Sequence, residues 1–408
     1  MIPGAQEIFA LLFADDIVLL SLTPIGLQTQ INNLKHAAET LGLVVNLQKS
    51  KILVYRKGGF LGRQERWFFG KEQMEVVNNY KYLGYTMTTK LSIEIPLAEF
   101  AGRAKSKITT IFKTLYKLGK IEPDIFFKLF DAQVKPTVLY AAELWGLANE
   151  EILKTIEKVH TYACKKLLGV TPRTPSTMIQ TELNRHPITI DAKIRAVKYW
   201  AKILQLNDNR LPRQAYEREL KEVNKPENWA IKIKDILTTN GYGYVWENGG
   251  TPFLKSFCKS LKQRLIDQFW QDAHSKLEDS DRFDLYRTLK QDHNREHYTT
   301  SIEISKFRKA FARLRMGIID IRNNERFLRP LSSRNCIFCS PLKIDNEYHF
   351  LLECPTFNDI RSKYLLRSWI TLNNLSVKDL VASESVLVTK CCSMFIYHAL
   401  KYKSSIVN

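Results

Sequence analysis

The stretch Leu11-Leu12-Phe13-Ala14-Asp15-Asp16-Ile17-Val18-Leu19-Leu20 constrains this chain more than any other. Two adjacent carboxylates interrupt an otherwise apolar run. The flanks, residues 8–13 and 17–20, read as short buried strands. The Asp pair is the only place where the run can turn, so the segment predicts a β-hairpin with acids at its tip. A buried pair of carboxylates is costly unless a cation offsets it. Mg²⁺ held by a few carboxylates is the usual solution where phosphoryl groups are transferred. The competing reading is a solvated turn, because Asp is a favoured turn residue.

A chain of 408 residues has room for two or three domains. Its 61 Lys and Arg outnumber its 42 Asp and Glu, for a net charge of +19. That balance points to a polyanionic partner, nucleic acid first and an anionic membrane surface second. The apolar N-terminal run has no basic flank, and Asp15 and Asp16 break it, so it reads neither as a secretory signal nor as a membrane span. Seven cysteines without such a signal imply a reducing compartment. The expected location is intracellular, in a nuclear or cytoplasmic ribonucleoprotein.

The expected fold class is α+β. Residues 1–90 mix strands and helix. Thr23-Pro24 starts a helix with Leu27, Ile31, Leu34, Ala37, Ala38 and Leu41 at helical spacing, and Gly42 stops it. Residues 51–55 read as a strand, and residues 67–69 and 74–77 as a strand pair. Residues 80–87 read as one strand with Gly84 where another backbone or a ligand could approach. Residues 91–150 are helical. Leu97, Phe100, Ala101, Ala104, Ile108, Ile111, Phe112, Leu115 and Leu118 form one apolar stripe. Arg103, Lys105, Lys107, Lys113 and Lys117 lie off that stripe, either as a solvated face or along a nucleic-acid backbone. A helical connector follows over residues 151–240, with Gly169 ending one helix. The breaker clusters between Asn240 and Pro252 suggest a domain boundary. Residues 251–408 form a basic helical region.

Within that last region, Cys336-x2-Cys339-x9-His349-x4-Cys354 has the spacing of a zinc site. A Cys-x2-Cys turn presents two thiolates to one tetrahedral ion, and the His and third Cys complete the shell. With all four positions filled by protein, such a Zn²⁺ would be structural. Cys391 and Cys392 are expected simply to pack, and His160, His186 and His293 show no ligand spacing.

With both constellations in view, the chain resembles the C-terminal portion of a non-LTR (LINE-type) retrotransposon reverse transcriptase. Phe13-Ala14-Asp15-Asp16 resembles that family's aromatic-Ala-Asp-Asp palm motif. Gly42-Leu43-Val44-Val45-Asn46 through Lys49-Ser50-Lys51 resembles the next motif, and Tyr82-Leu83-Gly84 the primer grip. Tyr140 with Trp145-Gly146, and Leu168-Gly169-Val170-Thr171-Pro172, are similar to the thumb and post-thumb pattern. Residues 336–354 resemble the zinc knuckle. The resemblance implies a partial palm (β-hairpin, helix, strands) over 1–90, thumb-like helices over 91–150, and the knuckle at 336–354.

It also implies roles. Asp15 would hold catalytic Mg²⁺ with Asp16 in support, and Lys49 would assist the leaving pyrophosphate. Tyr82, Leu83 and Gly84 would position the primer end, and Arg103 and Lys107 would grip template and primer. The implied partners are an RNA template and a DNA primer, with no membrane. Departures stand beside these matches. Polymerases need carboxylates from two separated motifs, yet only fourteen residues precede Asp15, none of them Asp, and Glu7 is the only acid there. Fingers and endonuclease segments are not found. The expectation is a reverse-transcriptase fragment, inactive alone, with a non-enzymatic nucleic-acid-binding zinc protein as the alternative.

Overall fold

The computed structural model describes residues 9–222, 228–278, 283–290, 292–321, 330, 333–339, 343–365 and 376–407. Glu7 and Ile8 lie outside these residues. The chain divides into two compact units, one spanning Met1–Glu99 and Leu206–Glu222, the other Phe100–Gln205 and Val223–Asn408. The architecture is α+β, with its named strands confined to the first unit.

In the first unit, β1 (Ala10–Phe13) and β2 (Asp16–Leu19) pair antiparallel with Phe13 opposite Asp16, so Ala14 and Asp15 make a two-residue turn. The hairpin forms as its pattern predicts, but its strands are not buried. Leu12 is 72% exposed and Phe13 61%. A ribbon of two strands has little to bury itself against on either face. Only the β2 end turns inward, where Leu19 packs with Leu27, Val54 and Phe69 around buried Ile31, Ile52 and Trp67.

α1 (Pro24–Thr40) begins as expected. Thr23 Oγ1 accepts from the Gly26 N–H at 3.1 Å, and Pro24 occupies the first turn. Past the helix end, Gly42 takes the left-handed conformation (φ 65°) that glycine adopts without strain. Gln28 of α1 clamps the backbone of Phe68, donating to its carbonyl and accepting from its N–H, both at 2.8 Å.

The remaining strands are shorter than predicted. β3 (Ile52–Leu53) runs parallel to β6 (Val76–Val77), while β4 (Phe68–Phe69) forms a hairpin with β5 (Glu72–Gln73). The expected pairing of 67–69 with 74–77 is therefore shared between two partners. Residues 80–87 are not one strand. They form a hairpin of β7 (Asn79–Tyr82) and β8 (Tyr85–Thr88), with Leu83 (φ 46°) and Gly84 (φ 80°) as its turn. Positive φ at both turn residues matches strand twist, which is why Gly84 is needed there.

α2 (Glu94–Lys117) carries the predicted stripe. Leu97, Phe100, Ala104, Ile108 and Leu115 are buried, whereas Leu118, beyond the helix end, is exposed. α3 (Pro123–Leu129) passes through a π-helical turn, Phe130–Val134, into α4 (Lys135–Val138). The widened turn precedes Pro136, whose ring excludes a regular α-helical bond there. Then come α5 (Ala142–Trp145), α6 (Glu150–Leu168), α7 (Ser176–Glu182) and α8 (Ile188–Leu204). Gly169 ends α6 at φ 65°. At Gly146 an added Cβ would lie 2.4 Å from the Ala192 carbonyl, so α5 can rest on α8 only through glycine.

α9 (Leu211–Lys221) falls in the first unit. α10 (Trp229–Thr239), α11 (Gly243–Glu247) and α12 (Leu254–Glu278) return to the second, so the breaker residues 240–252 lie inside it. Trp246 of α11 stacks on Trp200 of α8 at 5.6 Å. The rest is α13 (Asp284–Leu289), α14 (Tyr298–Ser301), α15 (Ser305–Arg315), α16 (Asn358–Tyr364), α17 (Val377–Val381) and α18 (Val386–Val407). Among the described residues no helix is long and apolar enough to cross a membrane.

The second unit contains a buried ionic network. Arg315 Nε donates to Glu182 Oε1 at 2.8 Å, its guanidinium also meets Glu296 at 2.6 Å, and it donates to the Val381 carbonyl. Lys290 reaches Glu296 at 2.7 Å. Burial pushes the Glu296 carboxyl up, against the pull of Arg315 and Lys290. Arg315→Met leaves buried Glu182 without its guanidinium partner and should cost about 3–5 kcal/mol of unfolding free energy. Arg315→Met with Glu182→Leu should recover much of that loss, as read from denaturant melts of both variants.

Candidate metal centre

Cys336, Cys339, His349 and Cys354 converge, and their ligand atoms all lie within 4.8 Å of one another. The local fold explains the spacing. An antiparallel bridge between Asn335 and Ile344 holds the start of the Cys-x2-Cys turn, with Cys336 N–H donating to the Lys343 carbonyl at 2.8 Å. His349–Glu353 is a π-helical turn, and Cys354 N–H donates to the His349 carbonyl at 2.7 Å. A five-residue step on a π turn brings the side chains back to one side, which suits the x4 interval between His349 and Cys354. Asn346 Oδ1 caps the turn by accepting from His349 N–H at 2.8 Å.

The donor set fits a tetrahedral ion. Zinc bonds of about 2.3 Å to sulfur and about 2.0–2.1 Å to nitrogen imply S···S edges near 3.8 Å and slightly shorter S···N edges. Cys336 Sγ and Cys354 Sγ are 4.0 Å apart, and Cys339 Sγ and His349 Nε2 are 3.0 Å apart. Three of the ligands are buried and Cys339 is partly exposed. Burial pushes the Cys336 thiol up, and burial with the neighbouring thiols pushes Cys339 up to about 12. Such a cluster suits a dication, whose charge favours the thiolates. The arrangement could hold a metal ion such as zinc.

Residues around the ligands complete the site. His349 Nδ1 faces Glu353 Oε2 at 3.4 Å, and Glu353 is paired with Lys343 at 3.1 Å. A carboxylate at that nitrogen fixes the tautomer that leaves Nε2 for metal. Arg361 of α16 donates to the Leu351 carbonyl at 2.8 Å and the Cys354 carbonyl at 3.0 Å. Phe350 packs on Phe395 of α18 with centroids 5.7 Å apart. Lys403 of α18 pairs with Asp345 at 3.3 Å. Spacing alone identifies the four ligands. It gives no sign of Arg361 or Lys403, which act through backbone carbonyls and a distant carboxylate.

The other candidate residues are less gathered. Asp15 and Asp16 sit at the hairpin tip, both exposed. Among the described residues no other His, Cys, Asp or Glu joins them as a third donor. Lys49 is exposed on a turn closed by Asn46, whose side chain accepts from Lys49 N–H at 3.1 Å. Its carbonyl accepts from Tyr80 Oη at 2.9 Å. Tyr82, Leu83 and Gly84 form the end of the β7–β8 hairpin. The Arg103 guanidinium lies 5.0 Å from the Phe100 ring. Lys107 Nζ is engaged by Thr137 Oγ1 at 2.7 Å and the Gln133 carbonyl at 3.2 Å. His160 is a core residue beside Glu157 at 3.1 Å, and His293 stacks on Trp270. Cys391 and Cys392 are buried and unbridged.

The chain is 26% identical over 201 residues to an uncharacterized transposon-derived protein of Caenorhabditis elegans, covering 47% of this chain and 67% of the relative. That likeness supports a transposon origin. No protein-family model matches the chain, and no solved structure matches it.

Purified protein should carry one zinc per chain by elemental analysis. Cys354→Ser should abolish that content, and chelation should lower the melting temperature of the second unit. Zinc-free protein that melts like the metal-loaded form would show that the cluster binds no structural ion.

Proposed function

We propose that this chain is the C-terminal portion of a non-LTR retrotransposon reverse transcriptase, an RNA-directed DNA polymerase whose ancestral role is target-primed synthesis on an RNA template. The observation that carries the reading is the Asp15–Asp16 pair, held at the tip of a two-residue β-hairpin. The motif order through Lys49 and Tyr82-Leu83-Gly84 supports it, as do the Cys3His cluster and the transposon-derived relative. Template RNA and primer DNA are the proposed partners, in a nuclear or cytoplasmic ribonucleoprotein.

Mg²⁺ would be held by Asp15 with Asp16. Two exposed carboxylates without a third donor among the described residues do not make a two-metal site. No polymerisation step is therefore assigned to this chain alone. What its own residues supply is binding. Exposed Arg103, Lys105, Lys113 and Lys117 on α2 present positive charge to a phosphate backbone, while Lys107 is held by Gln133 of the π-helical turn and Thr137 of α4. The proposed role of the Cys3His cluster is structural, because all four positions are filled by protein.

A second reading is a non-enzymatic nucleic-acid-binding zinc protein derived from such an element. It is favoured by a second unit whose core and metal cluster are built without the Asp pair.

On poly-rA/oligo-dT with Mg²⁺ or Mn²⁺, the chain should extend no more primer than Asp15→Asn/Asp16→Asn. Extension above that variant would overturn the claim that this chain is inactive alone. RNA affinity should fall steeply with rising salt as phosphate counterions are released. Salt-independent or absent binding would remove the second reading.

A further inference from the structure

Apart from the metal cluster, the second unit carries a surface where aromatic rings and lysines alternate. It is built from α15, α16 and α18. The rings of Tyr364 and His398 stack with centroids 4.9 Å apart and planes at 9°. Tyr397 meets His398 edge-on at 5.3 Å. All three rings are half-exposed. Lys363 Nζ lies 5.5 Å from the Tyr364 ring, and Lys306 Nζ lies 5.1 Å from the Tyr397 ring. Lys306, Lys363 and Lys401 are exposed. Among the described residues none of them pairs with a carboxylate. Glu303, just ahead of α15, is taken by Lys390 at 3.5 Å and Lys120 at 3.8 Å.

The electrostatics agree with that inventory. Partial burial, then Lys306, Lys363 and Lys401, hold the His398 imidazole below its ordinary value. Three cations close enough to disfavour a fourth charge mark a local positive potential. The plainer reading is a core edge roofed by lysine stems. That reading accounts for the rings but not for three clustered lysines that, among the described residues, form no ion pair.

We propose that this surface binds single-stranded nucleic acid, with Tyr364 and Tyr397 stacking on bases and Lys306, Lys363 and Lys401 contacting the adjoining phosphates. The proposal rests on the nucleic-acid reading given above and locates its contact surface. Stacking needs unpaired bases, which a duplex hides, so the ligand is a single strand. α16 is fastened to the metal cluster through Arg361, so the cluster sets the position of Tyr364.

The test is fluorescence anisotropy of the full chain with a labelled oligothymidine and with a duplex of the same length. Tyr364→Leu should weaken oligothymidine binding about 5- to 150-fold, the range for losing one base–aromatic stack. Lys363→Gln/Lys401→Gln should weaken it too, and should reduce the slope of log affinity against log salt by about 1.4, at roughly 0.7 per phosphate contact. Tyr244→Leu, an exposed ring on α11, should bind as wild type. Because the lysine variant alters only exposed side chains, it keeps the test open if Tyr364→Leu fails to fold. Natively folded variants that bind like wild type would overturn the proposal. So would an equal loss of duplex and single-strand affinity. Wild-type protein that binds no nucleic acid would instead remove the broader reading.

Discussion

The arrangement of the second unit depends on one guanidinium. Arg315 reaches Glu182 on α7, Glu296 ahead of α14 and the Val381 carbonyl on α17, all from the end of α15. Its surroundings hold it firmly charged, because burial is outweighed by two carboxylates. A buried ion pair contributes little net stability against an apolar replacement. What it governs is which elements can meet, because an interior charge left without its partner is costly. With α15 fixed in this way, α18 has a defined face to lie against. The Cys3His segment then docks on α18 through Phe350 and Lys403.

That order makes the metal cluster a fastening within a helical unit. Retroviral-type knuckles are short segments that fold around their ion. Here Cys336, His349 and Cys354 are buried, and Arg361 ties the cluster to the next helix. A metal ion bound there would help hold α16 against α18. The positively charged aromatic surface lies on those same two helices and α15, so local folding and ligand contact share one set of supports.

Features governed by neighbours in sequence were legible from sequence. Thr23, Pro24 and Gly42 mark α1 because caps and glycine stops act within a few residues. The α2 stripe follows from helical periodicity, and the four ligands from the spacing that one ion demands. Features set by distant partners were not legible. Nothing near Ile52 says that its strand runs parallel to Val76. Nothing local says that the apolar β1 strand is left open, because exposure depends on what lies across from it. Residues 80–87 alternate like one strand, and only the positive φ of Leu83 reveals a turn. The Arg315–Glu182 bond joins residues 133 positions apart, and Lys107 looks free until Thr137 is seen beside it.

The first unit is discontinuous, with residues 206–222 returning to it after the chain has laid down much of the second. A ribosome releases a chain from its N-terminus, and domains tend to fold as they emerge. Met1–Glu99 therefore leaves the ribosome well before α9 exists to join it. Its apolar hairpin stays open to water in the finished fold as well, with Leu12 and Phe13 exposed, so its strand edge can meet another chain at any stage. Chaperone access to that edge thus becomes a determinant of yield that equilibrium stability does not describe.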